Sequence, residues 1–166
     1  KARISSIDTS VLHEDLKKGI VPVITGFQGI NESGDITTLG RGGSDTSAVA
    51  LAVALEADEC QIFTDVDGVY TTDPRVYDKA KKIDKLSFEE MLELSSLGAK
   101  VLQIRSVEFA SKFNMPIRVL SSFNKGDGTL IDKEDENLED ALISGVTYTK
   151  NDSKLIIRQA VSYTHL

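Results

Sequence analysis

Histidine occurs twice in these 166 residues, cysteine once and tryptophan not at all, and each scarcity closes off some chemistry. His13 falls on an expected surface helix and His165 in the tail, with no third partner in sight. That argues against a Ser-His-Asp or Cys-His centre and against a zinc site. Cys60 alone cannot form an internal disulfide, so a reducing, cytoplasmic setting fits best. It lies in an apolar run and reads as an inert packing residue. No apolar run reaches membrane-spanning length and no secretory pattern is present, so no membrane partner is expected. Nineteen Lys and Arg face twenty-six Asp and Glu, for a net charge of −7 and a pI near 4.9. No dense basic stripe reverses that balance, and no nucleic-acid partner is expected. Two familiar phosphate loops are also missing. G-x-x-x-x-G-K-[ST] does not occur, and G-x-G-x-x-G fails because Asp45 stands at the last glycine.

With 40% hydrophobic and 27% charged residues, the composition is that of a globular domain with a real core. The most informative stretch is Thr38-Leu39-Gly40-Arg41-Gly42-Gly43-Ser44-Asp45-Thr46-Ser47. It places a flexible glycine loop, a guanidinium, a hydroxyl and a carboxylate at the mouth of a helix. Ser44, Asp45 and Thr46 suit an N-cap, and Ala48, Leu51, Ala52 and Leu55 follow at helical spacing. A helix start carries unpaired N–H groups and about half a positive charge, which attracts anions. Arg41 adds a bidentate grip for carboxylate or phosphate. A glycine turn before a helix is also common in proteins of any function, so this segment gains meaning only with its neighbours.

Residues 8–18 read as a helix capped by Asp8 or Thr9 and stopped by Gly19. Ile20–Thr25 is continuously apolar and predicts a buried strand. Phe27–Gly34 is a loop or hairpin turn, Ile36–Leu39 a short strand and 45–57 a helix. Cys60–Thr64 is a second buried strand. Ser87 opens a helix to about Leu97, with Glu89 and Glu90 where the helix dipole favours them. A helix over 99–113, a strand at Ile117–Leu120 and a short strand at Thr129–Ile131 follow. Strands alternating with helices predict an α/β domain with a largely parallel sheet over 1–131. Ligands in such sheets sit beyond the carboxyl ends of strands, and Phe27, Arg41 and Asp65 each follow an expected strand. Residues 132–142 form an acidic linker, and 143–149 and 154–158 resemble two further strands. The chain opens at Lys1 instead of Met and stops soon after these strands, so both ends are expected to be cut.

Asp65-Val66-Asp67-Gly68-Val69-Tyr70-Thr71-Thr72-Asp73-Pro74-Arg75 is polar and too long for a mere connector. It fails as an EF-hand, with Val69 at the third ligand, Tyr70 at the glycine and Val76 at the bidentate glutamate. A role for Mg²⁺ through nucleotide phosphates stays open, as does a solvated turn around Asp73-Pro74. Tyr70 and Arg75 in one loop could stack on a base and hold a phosphate.

LGRGGSD (39–45), VITGFQG (23–29), TDVDGVYTTDPR (64–75) and FEEMLELSSLGAKVL (88–102) stand in unbroken order. Together they resemble the aspartate kinases of the amino acid kinase family. The resemblance implies a three-layer α/β/α sandwich with a largely parallel sheet, followed by the truncated start of an ACT-like α+β domain at 143–166. It implies phosphorylation of the L-aspartate side-chain carboxylate by ATP with Mg²⁺, giving 4-phospho-L-aspartate, the step that opens lysine, threonine and methionine biosynthesis. By the same resemblance Phe27, Arg41 and Ser44 line the aspartate site, Arg41 clamping a carboxylate, and Asp45 organises the reaction centre. Thr64, Asp65, Tyr70, Arg75, Lys100 and Val101 hold the nucleotide, with no dedicated protein metal site. A homo-oligomer through ACT domains is implied for the parent enzyme. The chemistry agrees with the residues, because a carboxylate nucleophile is already ionised at neutral pH and needs no general base. Catalysis then reduces to alignment and charge neutralisation.

The chain departs from the family in lacking its Lys-x-Gly-Gly segment, and around Gln103-Ile104-Arg105 many members carry His-Pro. Residues 159–166 do not continue as an ACT domain. The expectation is therefore the C-terminal part of a catalytic domain, inactive without its N-terminal part. Two alternatives stay open: another acylphosphate-forming kinase of the same family, or a non-catalytic nucleotide-binding or subunit-interaction fragment.

Overall fold

A computed structural model describes residues 3–97, 101–134 and 145–147 of the chain. Helix α1 (Ser10–Lys17) is followed by the strands β1 (Gln28–Ile30) and β2 (Ile36–Thr38), which form an antiparallel hairpin. Helix α2 (Gly43–Ala54) leads to β3 (Cys60–Thr64). Beyond a long excursion come β4 (Lys85–Ser87), α3 (Phe88–Ser96), α4 (Ile104–Phe113), β5 (Ile117–Ser121) and β6 (Thr129–Asp132). The last four strands named form one sheet in the order β3-β5-β6-β4. The β3–β5 and β4–β6 pairs are parallel and the central β5–β6 pair is antiparallel. The sheet is mostly parallel, as expected of an α/β domain.

The alternation of side chains along β5 explains how this sheet takes its helices. Ile117, Val119 and Ser121 are buried while Arg118 and Leu120 are half-exposed. The buried face joins Val49 of α2, Phe88, Met91 and Leu94 of α3, and Val107 and Ala110 of α4 in one apolar cluster with Leu86 and Ile131. Among the described residues these three helices supply one helical layer, and on the other side of β3 Gln61 and Phe63 are exposed. Thr129, fully buried, stitches the long excursion to the sheet. Its hydroxyl donates to the Ile83 carbonyl at 2.6 Å and accepts the Val69 N–H at 2.8 Å. Helix α3 begins with a capping box: the Ser87 hydroxyl accepts the Glu90 N–H, and the Glu90 carboxylate accepts the Ser87 N–H.

Four expectations are corrected. Ile20–Thr25 is not a strand: among the described residues no strand edge pairs with it, and Val21 and Val23 are 82% and 97% exposed. Apolarity creates the demand for burial, but a ladder needs a partner, and Pro22 removes a donor from it. Helix α2 starts at Gly43 with Gly42 as its N-cap, and no side chain caps it. The hydroxyl of Thr46 turns back to the Gly42 carbonyl at 2.8 Å and so cannot serve as a cap. Helix α4 starts at Ile104, with 98–100 outside the described residues and 101–103 non-helical. Of the expected strand 143–149 only 145–147 are described, and they carry no ladder. There the Val146 N–H donates to the Thr71 carbonyl at 2.7 Å and the Thr147 hydroxyl to the Leu97 carbonyl. The strand expected at 154–158 lies outside the described residues.

Candidate active site

Glycine decides the shape of the loop between β2 and α2. Gly40 and Gly42 take φ of +82° and +70°, where a Cβ would meet its own backbone. Gly42 has a second reason to be glycine, because an added Cβ would run into the side chain of Gln103. The Gly43 N–H closes the turn on the Gly40 carbonyl at 2.9 Å. The Gly42 carbonyl accepts both the Thr46 N–H at 3.1 Å and the Thr46 hydroxyl. The loop therefore delivers its chain into α2 with Arg41 and Ser44 exposed on the outside and Asp45 half-buried in the first turn. The Ser44 hydroxyl lies 3.4 Å from Asp45 Oδ1.

Phe27 belongs to this group by contact. It too has a positive φ, +70°, a strained conformation for a residue with a bulky side chain. The strain is held by bonds on both sides of the residue. The Phe27 N–H donates to the Ser47 hydroxyl at 3.2 Å, and the Phe27 carbonyl accepts the Leu39 N–H at 2.9 Å. Its ring lies over Gly43, where an added Cβ would crowd it. Phe27 does not follow a strand, so the hairpin bonds and α2 position it instead of a sheet terminus.

The acidic segment after β3 is folded upon itself. Thr64 ends the strand, its hydroxyl donating to Asp65 Oδ1 at 3.1 Å, and its carbonyl accepts the Ser122 N–H at 2.8 Å. The Tyr70 hydroxyl donates to Asp67 Oδ1 at 3.0 Å, and this bond, more than burial, raises the phenol above its ordinary pKa. Arg75 forks onto Asp73, with Nε to Oδ1 and Nη2 to Oδ2 both at 3.1 Å. The segment returns along itself through a Tyr70–Lys82 bridge and the Thr71 N–H to Lys81 carbonyl bond. Val101 is half-buried against the core, and Lys100 lies outside the described residues.

The expected site residues thus form two sets on different elements. Phe27, Arg41, Ser44 and Asp45 gather at the mouth of α2. Thr64, Asp65, Tyr70 and Arg75 occupy the end of β3 and the excursion that follows it. Cys60 between them is inert: burial pushes its thiol up to about 11, with the carboxylates of Asp45 and Glu59 adding to the rise. Sequence reasoning did not find Ser47, Asp73, Gln103 or Arg105. The Arg105 Nη1 donates to the Leu39 carbonyl at 3.1 Å across 66 positions of sequence, and only a contact in space reveals that. Among the described residues no three His, Cys, Asp or Glu side chains converge as metal ligands, and no helix is long and apolar enough to cross a membrane.

The chain is similar to known proteins of one family. The model of the amino acid kinase family matches residues 1–121. An aspartate kinase of Pseudomonas putida is 62% identical over 159 residues, covering 95% of this chain and 39% of the relative. An aspartokinase of Corynebacterium glutamicum is 52% identical, with 94% and 38% covered. The chain thus spans about two fifths of the length of these curated relatives. Among solved structures, E. coli aspartokinase III in complex with aspartate and ADP superposes with a TM-score of 0.70 at 44% identity, over 78% of this chain and 29% of that one. Clostridium acetobutylicum aspartate kinase gives a TM-score of 0.71 at 33% identity, over 82% and 32%.

Proposed function

The chain belongs to the amino acid kinase family, and from that premise we propose that it carries part of an aspartate kinase active site. The reaction is transfer of the γ-phosphoryl of MgATP to the side-chain carboxylate of L-aspartate, releasing ADP and 4-phospho-L-aspartate. One observation carries the reading: the strained Phe27, the Gly40–Gly43 turn and the first turn of α2 are bonded into one mouth that offers Arg41 and Ser44 outward. In it Arg41 grips a carboxylate of aspartate, Phe27 and Ser44 border the substrate, and Asp45 orders the polar groups around the acceptor. Thr64, Asp65, Tyr70, Arg75, Lys100 and Val101 take the nucleotide. The aspartate carboxylate is the nucleophile and is ionised at neutral pH, so these residues need only align it and offset the charge of the moving phosphoryl group.

Mg²⁺ in this reading travels on the phosphates, since it keeps several waters and takes few protein ligands. Among the described residues no three His, Cys, Asp or Glu side chains gather into an all-protein cage for it. Further parts of the proposal are a catalytic unit over 1–131, an acidic linker at 132–142 and the start of an ACT-like domain at 143–166. To these we add a cytoplasmic, homo-oligomeric parent enzyme feeding lysine, threonine and methionine synthesis.

Hydroxamate trapping tests the reaction. The full-length protein with MgATP and L-aspartate is expected to give aspartyl hydroxamate in step with ADP. A folded protein that gives none, or that phosphorylates a different amino acid instead, overturns the proposal in favour of another family member. Nucleotide binding without any transfer would favour a binding module.

A further inference from the structure

Arg105 stands where local physics disfavours it. It is the second residue of α4, in a first turn that contains no acidic residue. A cation there opposes the helix dipole. Residues that break a local rule tend to serve a site, and the guanidinium of Arg105 reaches one. Its Nη1 donates to the Leu39 carbonyl at 3.1 Å, the last carbonyl before the Gly40 turn. The opposite side of the same residue is also held, since the Leu39 N–H donates to the Phe27 carbonyl at 2.9 Å. The Phe27 N–H in turn donates to Ser47 of α2. A single run of hydrogen bonds therefore passes from α4 through Leu39 and Phe27 to α2, with the two strained or glycine-dependent corners inside it. Gln103, one residue before α4, packs its side chain into the space that a Cβ on Gly42 would need.

We propose that Arg105 and Gln103 are positioning residues for the loop that binds the carboxylate substrate. Arg105 fixes the Leu39–Gly40 peptide, and Gln103 holds Gly42 in its left-handed conformation. Together they set the direction in which Arg41 and Ser44 face the anion. Neither touches substrate. The inference rests on the reading of this loop as the aspartate site, and it adds that specificity for the acceptor depends on the start of α4. A carbonyl bonded to a charged donor is a stronger restraint than a neutral pair. Its loss frees a glycine-rich loop whose alternatives are many.

The test measures initial rates in the full-length protein, with L-aspartate and MgATP varied separately. Arg105→Ala is expected to raise KM for L-aspartate by about tenfold or more, the scale of one charge-assisted hydrogen bond. KM for MgATP should stay within about twofold, a split that a merely structural role would not produce, and added guanidinium ion should restore part of the loss in KM for L-aspartate. Gln103→Ala, which leaves Arg105 in place, should raise KM for L-aspartate in the same selective way by a smaller factor. The positioning role is overturned if both KM values rise together, if neither moves, or if Gln103→Ala and Arg105→Ala change only the melting temperature. Wild-type protein that turns over no aspartate would instead sink the reading of the loop, and the positioning role with it.

Discussion

Arg41 and Arg75 differ in what already holds them. Arg75 is forked onto Asp73, so in the proposed nucleotide site a phosphate would meet a guanidinium that is already oriented and shared with a carboxylate. Arg41 is exposed and, among the described residues, has neither hydrogen bond nor ion pair, so its direction is set by the backbone beneath it. That backbone depends on Gly42. An alanine there would carry a Cβ at φ +70° and push it into Gln103. The left-handed conformation alone costs an alanine about 1–2 kcal/mol, and the collision adds to it. Gly42→Ala is expected to lower the urea midpoint of unfolding and to weaken aspartate more than nucleotide; an unchanged midpoint would show that the loop is freer than its bonds imply.

At the scale of elements, what was legible in the sequence was whatever is decided within a few residues. Helix α3 was readable because its start signal is local: Ser87 and Glu90 exchange backbone bonds three positions apart. Removing that exchange by Ser87→Ala should destabilise the fold by about 1 kcal/mol, read from chemical denaturation. A loss near zero would mean that packing of Phe88, Met91 and Leu94 fixes α3 without its cap. β3 and β5 were readable from short apolar runs bounded by turns. The segment 20–25 looked the same by that rule and is not a strand, because its fate depends on a neighbouring edge that no local pattern encodes. β4, three residues with one buried side chain, gave no signal of its own and is held by β6. The start of α2 lies two residues before the position that the sequence suggests, for a related reason. Ser44, Asp45 and Thr46 all suit a cap, but Gly42, free to be left-handed, lets the helix begin before them.

At the scale of the molecule, the sheet order β3-β5-β6-β4 gathers distant sequence segments around a single apolar cluster. The motifs at 64–75 and 88–102 supply Val69, Phe88, Met91, Leu94 and Leu102 to that cluster, whereas Phe27, Arg41, Ser44, Asp45, Thr64, Asp65, Tyr70 and Arg75 stand outside it, on connections or at the ends of elements. This is why motifs can nominate candidate residues while the geometry that joins them stays out of their reach. The residues are legible as chemistry, but the bond run from Arg105 to Leu39, Phe27 and Ser47 joins positions 12 to 66 apart. The proposed site divides its labour between two sets of residues, one for the acceptor and one for the nucleotide. The most direct test of that division is a paired titration of Arg41→Ala and Arg75→Ala in the full-length protein, following ADP release against L-aspartate and against MgATP. Crossed effects are expected: Arg41→Ala raises KM for L-aspartate by about tenfold or more with MgATP nearly unmoved, and Arg75→Ala does the reverse. Equal losses for both substrates in both variants would contradict it.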